Sequence, residues 1–264
     1  MPHFKKIMKN ALITGGSSGM GLEYSKQIAS MGYSLTIVSN VPEQLEAARA
    51  ELESLYPGTS ITTHYADLAD ANAAASLHSW CIGQNLIPDL LVCNAGMFFF
   101  DELSGATLPK ADLMLNLHVK TNTDLCVLFG EEMKRRGSGR IIIMSSMAAK
   151  LPTPGITIYS ATKAYLLSFG KSLWFEMKPY GVNVTTVCPA AIATPLYNLK
   201  PSLMKLGLRT GIIHSPSWLV RRALRASKRG KRVIRPSLMN VYLPALIAAL
   251  PAGIESRIWK KLKP

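Results

Sequence analysis

A glycine-rich turn between a strand and a helix is the feature that most limits the folds open to this chain. Residues 9–14 (KNALIT) form a short apolar run that predicts a buried strand. The turn GGSSGMG follows at residues 15–21, and residues 22–31 have helical periodicity that ends at Gly32. Such a cluster can be an ordinary turn. However, glycines allow close approach of a ligand, and a helix N-terminus offers free N–H groups, so this order of elements predicts a dinucleotide site.

Three polar residues further along the chain have a spacing that suits acid–base chemistry. Tyr159 lies thirteen residues after Ser146, and Lys163 follows Tyr159 by four. On a helix, residues i and i+4 share a face, so the lysine ammonium is expected near the phenol. A free phenol has a pKa of about 10, and a neighbouring cation favours the phenolate. The pattern therefore predicts that Tyr159 is a tuned general acid or base.

Taken together, these motifs resemble those of the short-chain dehydrogenase/reductase family. Residues 14–21 match its T-G-x-x-x-G-x-G element, and residues 94–96 match the end of its N-N-A-G element, with Cys93 in place of the first asparagine. Residues 189–194 match P-G-x-x-x-T, except that Ala190 replaces the glycine. The resemblance extends from about residue 9 to residue 235. It implies a catalytic set of Asn116, Ser146, Tyr159 and Lys163.

The resemblance also implies a role for each member of this set. Tyr159 is expected to protonate a carbonyl oxygen as hydride arrives, and to act as the base in the reverse direction. Ser146 is expected to hydrogen-bond the same oxygen, and Ser145 is its competitor for that role. Lys163 is expected to lower the pKa of the tyrosine and to hold the nicotinamide ribose. Asn116 is expected to anchor a water molecule that links Lys163 to solvent.

An NAD(P)(H) cofactor is implied, and the sequence favours NADP(H) over NAD(H). Many NAD enzymes carry an acidic residue after the second strand, where this chain has Ser39 and Asn40. The basic residue typical of strong NADP binders is missing there too. Asp67 occupies the family position that contacts adenine, although it also suits a helix cap. The expected cofactor contacts are Gly15, Ser17, Ser18, Gly19, Met20, Gly21, Ser39, Asn40, Asp67, Leu68, Asn94, Ala95, Gly96, Tyr159, Lys163, Pro189, Ile192 and Thr194.

Short apolar runs alternate with helical patterns along the whole chain. These runs lack polar alternation, which is typical of parallel strands covered on both faces. We therefore predict an α/β fold: a doubly wound (Rossmann) seven-stranded parallel sheet in one domain, residues 1–236, followed by a basic, apolar C-terminal extension, residues 237–264. The predicted strands are residues 9–14, 34–39, 61–65, 90–93, 140–144, 182–188 and 232–234.

The cysteines and histidines give no sign of a metal site. The four cysteines lack metal-like spacing, so we interpret them as reduced, structural residues, and the contexts of Cys93 and Cys188 suggest burial. Among the five histidines, His118 lies near the proposed chemistry, and we interpret it as a packing residue. The first residues, MPHFKK, lack the apolar region of a signal peptide, so a cytoplasmic location is expected.

Two apolar segments indicate a hydrophobic substrate. Residues 97–100 (MFFF) follow the fourth strand, where they could line a pocket, fill the core or make a subunit contact. Residues 196–213 lie where the family has its substrate lid, and Leu, Met and Ile dominate them, interleaved with basic side chains. Such a lid suits a long apolar ketone, with or without an acidic head, although an amphipathic surface helix has the same pattern.

The C-terminal part of the chain carries most of the positive charge. Residues 221–264 hold twelve Lys or Arg and one Glu, or +11 of the chain's +14. They flank an apolar run, residues 238–250, that is shorter than the roughly 20 residues of a membrane span. We interpret this segment as an interfacial membrane anchor. Packing on the domain or in a dimer is the alternative. No nucleic-acid-binding module accompanies the charge, so no nucleic-acid partner is expected.

The sequence thus predicts an NAD(P)(H)-dependent oxidoreductase that interconverts a ketone and a secondary alcohol. The pattern is similar to family branches that act on 3-oxoacyl, ketosphinganine or steroid ketones, so a hydrophobic, lipid-like substrate is expected. A reductase of small soluble ketones or sugars is one alternative. A non-catalytic dinucleotide-binding sensor at a membrane surface is another, but it would not need a tuned phenol. We also expect a homo-oligomer, either a dimer or a tetramer, and a position that is cytoplasmic or peripheral on the inner face of a membrane.

Overall fold

One parallel sheet forms the centre of the molecule. The computed structural model describes residues 9–151, 153–193, 201–210, 212–237, 239–248, 251, 253–254 and 257. The strands in these ranges are β1 (Asn10–Thr14), β2 (Ser34–Ser39), β3 (Ile61–Tyr65), β4 (Leu90–Cys93), β5 (Gly139–Met144), β6 (Val182–Val187) and β7 (Val233–Ile234). Their order across the sheet is β3-β2-β1-β4-β5-β6-β7. The predicted seven-stranded doubly wound sheet is confirmed, and each strand end lies within one residue of its expected position.

Helices connect the strands and cover both faces of the sheet. They are α1 (Gly19–Ala29), α2 (Pro42–Leu55), α3 (Ala73–Gly83), α4 (Leu108–Leu115), α5 (Asn122–Arg136), α6 (Thr157–Met177), α7 (Pro201–Thr210), α8 (Pro216–Lys228) and α9 (Met239–Ala248). A π-helical turn, Asn116–Thr121, joins α4 to α5 without a break in the helical path. Such turns are rare and often lie at functional sites.

The strands are apolar on both sides because each face of the sheet packs against helices. Ala11 and Ile13 of β1 belong to a cluster with buried side chains from α1, α2 and α8. Leu12, which points to the other face, packs with side chains from α3, α5 and α6. All four cysteines are buried and free of disulfide bonds, as expected for structural thiols next to the core.

The crossover in strand order determines where a ligand can bind. β1 pairs with β2 on one side and with β4 on the other, so the chain reverses direction across the sheet after β3. The loops after β1 and β4 therefore separate and leave a crevice at their carboxyl ends. This switch point lies directly after the glycine-rich turn that the sequence singles out.

The C-terminal segment is described only in part. Helix α9 falls within the apolar run, and the boundary between a domain at 1–236 and an extension at 237–264 stays a prediction. Within the described ranges, no helix is both long enough and apolar enough to cross a membrane.

Candidate active site

A cleft of about 590 Å³ opens at the switch point of the sheet. Its walls come from the loops that follow the first six strands and from the first turns of α6. Crevices at this position are where doubly wound folds bind their ligands. The cleft runs from the ends of β2 and β3 to α6.

The glycine-rich turn lines one side of the cleft, and its tight backbone path requires glycine at two positions. Gly15 has a φ of 62°, in the left-handed region that glycine adopts without strain. A Cβ atom on Gly21 would overlap the carbonyl oxygen of Gly15. Any side chain at position 21 would therefore push the turn away from the helix that follows it.

Hydrogen bonds join the turn to the Asn94-Ala95-Gly96 segment after β4. The Thr14 hydroxyl oxygen accepts bonds from the backbone N–H groups of Asn94 (2.9 Å) and Ala95 (3.0 Å). In return, the Asn94 side-chain amide donates to the carbonyl oxygens of Thr14 (3.1 Å) and Gly15 (3.3 Å). The two sequence motifs therefore act as one rigid unit on both sides of the switch point.

The N-terminus of α1 gives this end of the cleft a positive potential. The helix starts at Gly19, and Ser18 is its N-cap residue, in an extended conformation. Both residues line the cleft, and the first turn of the helix contains no acidic side chain. Free N–H groups and the helix dipole at such an end favour a phosphate group. The turn therefore fits the pyrophosphate of a dinucleotide.

Tyr159 and Lys163 form the opposite wall of the cleft. Both lie on α6, one turn apart, and each is only 6% exposed. The Lys163 ammonium donates a hydrogen bond of 3.1 Å to the carbonyl oxygen of Met144 and lies 5.5 Å from the centre of the Tyr159 ring. Burial lowers the pKa of Lys163 to about 8, so most of the molecules keep this charge at neutral pH. The structure therefore brings the ammonium beside the aromatic ring, and its effect on the pKa of the phenol stays a prediction.

The two serines after β5 differ in their hydrogen bonds. The Ser145 hydroxyl donates to the carbonyl oxygen of Lys163 at 2.7 Å, so its proton already serves to hold α6 against β5. The Ser146 oxygen accepts a bond of 3.1 Å from the backbone N–H of Ala148, which leaves its O–H as a donor. This difference favours Ser146 for the serine role, although Ser145 is the one of the two that lines the cleft.

Asn116 starts the π-helical turn and is half-buried. It lies between Leu113 and Leu117, both of which line the cleft. Asn116 itself does not line the cleft, although these two neighbours in the chain do. Its proposed contact with a water molecule stays a prediction.

Most of the residues predicted to bind the cofactor line this cleft. Gly21 supports the turn from behind, and Thr194 lies outside the described residues. The predicted residues that line the cleft are Gly15, Ser17, Ser18, Gly19, Met20, Ser39, Asn40, Asp67, Leu68, Asn94, Ala95, Gly96, Tyr159, Lys163, Pro189 and Ile192.

The far end of the cleft is polar. Asp67 accepts a hydrogen bond of 3.0 Å from the backbone N–H of Ala69, in the loop before α3. The N-cap residue of α3 is Asn72, so the alternative interpretation of Asp67 as a helix cap is wrong. Gln44, on α2, also lines the cleft, and its side-chain oxygen lies 3.4 Å from the hydroxyl of Ser17. Sequence motifs gave no signal for Gln44, because its place depends on how α2 packs beside the turn.

Apolar side chains surround the phenol end. Phe98 packs edge-on against Tyr159, with ring centres 5.1 Å apart and planes at 86°. Residues 97–99 are half-buried and Phe100 is exposed, so, of the three alternatives for this segment, filling the core is wrong. Met97, Leu113 and Leu117 line the cleft beside them. The spacing of the two leucines by four residues is a helical signal that could have been found in the sequence.

Comparison with known proteins places this architecture in a family. The family model described as short chain dehydrogenase matches residues 9–202, which contain the glycine turn, the Tyr159–Lys163 pair and six of the strands. This chain belongs to the short-chain dehydrogenase family. The resemblance inferred from the motifs is therefore confirmed.

Individual members of the family differ in how much of the chain they match. A very-long-chain 3-oxoacyl-CoA reductase from Danio rerio is 28% identical over 76% of this chain and 63% of its own length. A 17-beta-hydroxysteroid dehydrogenase type 3 from Danio rerio is 26% identical over 95% of this chain and 80% of its own. A short-chain dehydrogenase from Sphingobium yanoikuyae, solved in complex with NADPH, superposes with a TM-score of 0.77 at 26% identity and covers 92% of this chain and 97% of its own.

The buried ammonium leads to a prediction about stability. At pH 7 Lys163 is protonated in both states, so the folded protein carries the full cost of burying the charge. Between a pKa of about 8 in the folded protein and the ordinary 10.5, the unfolded chain binds more protons, and stability rises with pH. Relative to Lys163→Met, we expect the unsubstituted protein to gain about 2 kcal/mol of unfolding free energy between pH 7 and pH 9.5.

Urea unfolding of both proteins at several pH values measures this difference. Lys110→Met, at an exposed position on α4, is the matched control and should show no such change with pH. A gap between Lys163→Met and the unsubstituted protein that stays constant with pH would contradict the burial of a charged Lys163.

Proposed function

We propose that this protein is an NAD(P)(H)-dependent oxidoreductase that interconverts a ketone and a secondary alcohol on a hydrophobic, lipid-like substrate. One observation carries the proposal: a buried Lys163 beside Tyr159, at one end of a cleft whose other end offers the N-terminus of α1. A site that only bound an anion would need the N-terminus of α1 but not the Tyr159–Lys163 pair. The cation and phenol together supply acid–base chemistry.

The chain's own residues divide the work of the proposed reaction. Hydride transfer is the chemistry that a bound nicotinamide supplies. Tyr159 donates its phenolic proton to the carbonyl oxygen of the substrate, and Lys163 stabilises the phenolate that remains. The Ser146 O–H donates a hydrogen bond to the same oxygen as negative charge develops there. In the direction of alcohol oxidation, the phenolate takes the proton back.

Apolar surroundings of the phenol support a lipid-like substrate. Phe98, Met97, Leu113 of α4 and Leu117 of the π-helical turn offer few polar partners to a small hydrophilic ketone or sugar. Leu206 and Leu208 of α7 are exposed, in the region where the family has its lid. Relatives named for 3-oxoacyl-CoA and for a hydroxysteroid fit such surroundings. These observations favour 3-oxoacyl, ketosphinganine or steroid ketones over small soluble ones.

The decisive test replaces the phenol. We expect Tyr159→Phe to lower kcat by at least about 100-fold, the usual contribution of a positioned general acid, because the reacting oxygen loses its proton donor. The assay follows NADPH oxidation with a panel of long-chain 3-oxoacyl, steroid and small ketones. The dissociation constant for NADPH, measured by fluorescence, should change by less than about twofold.

Tyr165→Phe is the matched control for this substitution. Tyr165 lies on the same helix, and its hydroxyl is hydrogen-bonded to Thr123 at 2.8 Å, away from the cleft. Its loss should leave kcat unchanged. Strong turnover by Tyr159→Phe would refute the acid–base role. NADPH binding without turnover of any ketone by the unsubstituted protein would favour the alternative, a dinucleotide-binding sensor.

We further propose that the cofactor is NADP(H) in preference to NAD(H). Ser39 and Asn40 line the cleft at the end of β2, and no carboxylate lies at this point of the described wall to repel a 2′-phosphate. The related dehydrogenase from Sphingobium yanoikuyae was solved with NADPH. The Ser39 hydroxyl oxygen accepts a bond of 3.3 Å from the N–H of Val41, which leaves its O–H as a donor.

A single isosteric change tests this preference. We expect Asn40→Asp to weaken NADPH binding by about tenfold, since a carboxylate would repel the 2′-phosphate, and to leave NADH binding unchanged or improved. Separate fluorescence titrations with each cofactor measure both effects, and Asn40→Gln is the neutral control. Tighter binding of NADH than NADPH by the unsubstituted protein would contradict the proposal.

Peripheral binding to an anionic membrane surface is a further part of the proposed function. Tyr242 and Leu246, four residues apart on α9, are 68% and 62% exposed. Just before this helix, Lys231, Arg232 and Arg235 line a second cleft near β7, which gives the region a positive charge. Exposed apolar side chains beside basic ones are typical of interfacial helices.

The C-terminal segment can be tested without disturbing the sheet. We expect Tyr242→Ser with Leu246→Ser to weaken binding to phosphatidylserine vesicles, measured by co-sedimentation, by about 30-fold or more, since each exposed apolar side chain contributes roughly 1 kcal/mol or more when buried in the interface. A chain that ends at Ser237 should lose binding further. Phosphatidylcholine vesicles are the control, and unchanged sedimentation of both variants would favour packing on the domain instead.

The proposed homo-oligomer, a dimer or a tetramer, also stays a prediction. Val127 of α5 and Phe175 of α6 are exposed apolar residues on the outer helices. They are compatible with such an interface.

A further inference from the structure

His118 occupies a position that simple packing does not explain. It lies in the π-helical turn Asn116–Thr121 and is 0% exposed. Its ring nitrogens contact two different parts of the active site. Nε2 lies 3.0 Å from the backbone nitrogen of Met97, and Nδ1 lies 2.9 Å from the hydroxyl oxygen of Thr162.

These contacts determine which nitrogen carries the proton. A backbone N–H can only donate, so Nε2 of His118 must accept the bond from Met97. A neutral imidazole then carries its proton on Nδ1 and donates it to Thr162. Thr162 in turn donates from its hydroxyl to the carbonyl oxygen of Tyr159 at 2.9 Å. Each donor meets one acceptor along this chain of three bonds, which runs from Met97 to Tyr159.

The surroundings keep the ring neutral and fixed. Burial, with a smaller effect of the Lys163 charge, holds the pKa of His118 well below its usual range. The side-chain amide of Asn122 donates to the carbonyl oxygens of Leu117 and His118, both at 2.9 Å, which anchors the backbone of the turn. The imidazole therefore has one protonation state and one orientation.

This chain of bonds connects the two walls of the cleft. Met97 follows the Asn94-Ala95-Gly96 segment, whose residues line the cofactor side, whereas Thr162 and Tyr159 lie on α6. A Cβ atom on Gly96 would come within 3.0 Å of His118 Nε2 and 3.7 Å of the Lys163 ammonium, so the ring sits directly against this segment. The His118 and Tyr159 rings also meet edge-on, with centres 5.9 Å apart.

We infer that His118 is a positioning residue for the proposed reaction: as a neutral Nδ1–H imidazole it sets the distance between the cofactor-side loop at Gly96-Met97 and the phenol of Tyr159. It touches neither the reacting carbonyl nor a proton in transfer. The inference rests on the proposed oxidoreductase activity. It replaces the interpretation of His118 as a packing residue, since a packing residue would not need either ring nitrogen.

Substitutions at both ends of the bond to Thr162 test the inference. His118→Phe keeps most of the ring volume and removes both nitrogens, whereas Thr162→Val keeps the shape of Thr162 and removes its hydroxyl. We expect each to lower kcat on the order of 10- to 100-fold, because small displacements of reacting groups cost that much. KM and the dissociation constant for NADPH should change by less than about threefold.

The activity of the double variant shows whether His118 and Thr162 act together through one chain of hydrogen bonds or make independent contributions. Once the chain is broken at Thr162, loss of the His118 nitrogens should add little, so the double variant should be as active as the worse single one. His118→Asn, whose amide can still donate to Thr162, should recover part of kcat. His78→Phe, at a half-buried histidine of α3 that packs on Phe129, is the matched control and should keep full activity.

The tautomer can be measured without any substrate. In the protein with ¹⁵N-labelled histidine, long-range ¹H–¹⁵N spectra should show His118 protonated at Nδ1, with the signal assigned by its loss in His118→Gln. An Nε2–H tautomer, full kcat in His118→Phe, or losses that multiply in the double variant would each overturn the inference. If the unsubstituted protein reduces no ketone, the positioning role fails together with the proposed function. An active protein with an insensitive His118 leaves the proposed function standing.

Discussion

A buried ammonium next to a buried phenol is the interaction on which the rest of this structure depends. Lys163 has little access to water, and its hydrogen bond to Met144 ties it to the end of β5. A charge in such surroundings is costly to bury, and its effect on a neighbouring phenol is larger than it would be in water. The fold therefore accepts a local loss of stability in order to hold a cation beside this phenol. This trade is common at catalytic sites.

The sheet brings the glycine turn and the N-terminus of α1 to the same crevice as this pair. Parallel strands direct their carboxyl ends to one edge, and the reversal of strand order between β1 and β4 opens that edge. The glycine turn after β1 and the Asn94-Ala95-Gly96 segment after β4 are then joined through Thr14, so the two halves of the cleft cannot drift apart. The N-terminus of α1 and the Tyr159–Lys163 pair of α6 line one cleft because they share this frame.

Most of the sheet and its connecting motifs could be predicted from the sequence, but only some of the residues that line the cleft could be. Strand positions could be predicted closely because buried parallel strands are short apolar runs with sharp ends, and the glycine turn and the Tyr159–Lys163 spacing are local patterns. Gln44 and the hydrogen bonds of His118 depend on how separate elements pack, which no local pattern records. For Asp67 the local pattern was misleading instead. It suited a helix cap, whereas the helix starts at Ala73, after a turn.

Electrostatic repulsion and hydrogen bonding together explain why the histidine next to this site should be neutral. His118 and Lys163 are both buried, and a Cβ atom on Gly96 would lie within 4 Å of each side chain. Two cations in such a space would repel each other, and protonation of His118 would also break its bond to Met97, because Nε2 would become a donor facing another donor. The neutral imidazole avoids both costs and still uses both nitrogens. Of these two buried side chains, only Lys163 therefore carries a positive charge near the phenol.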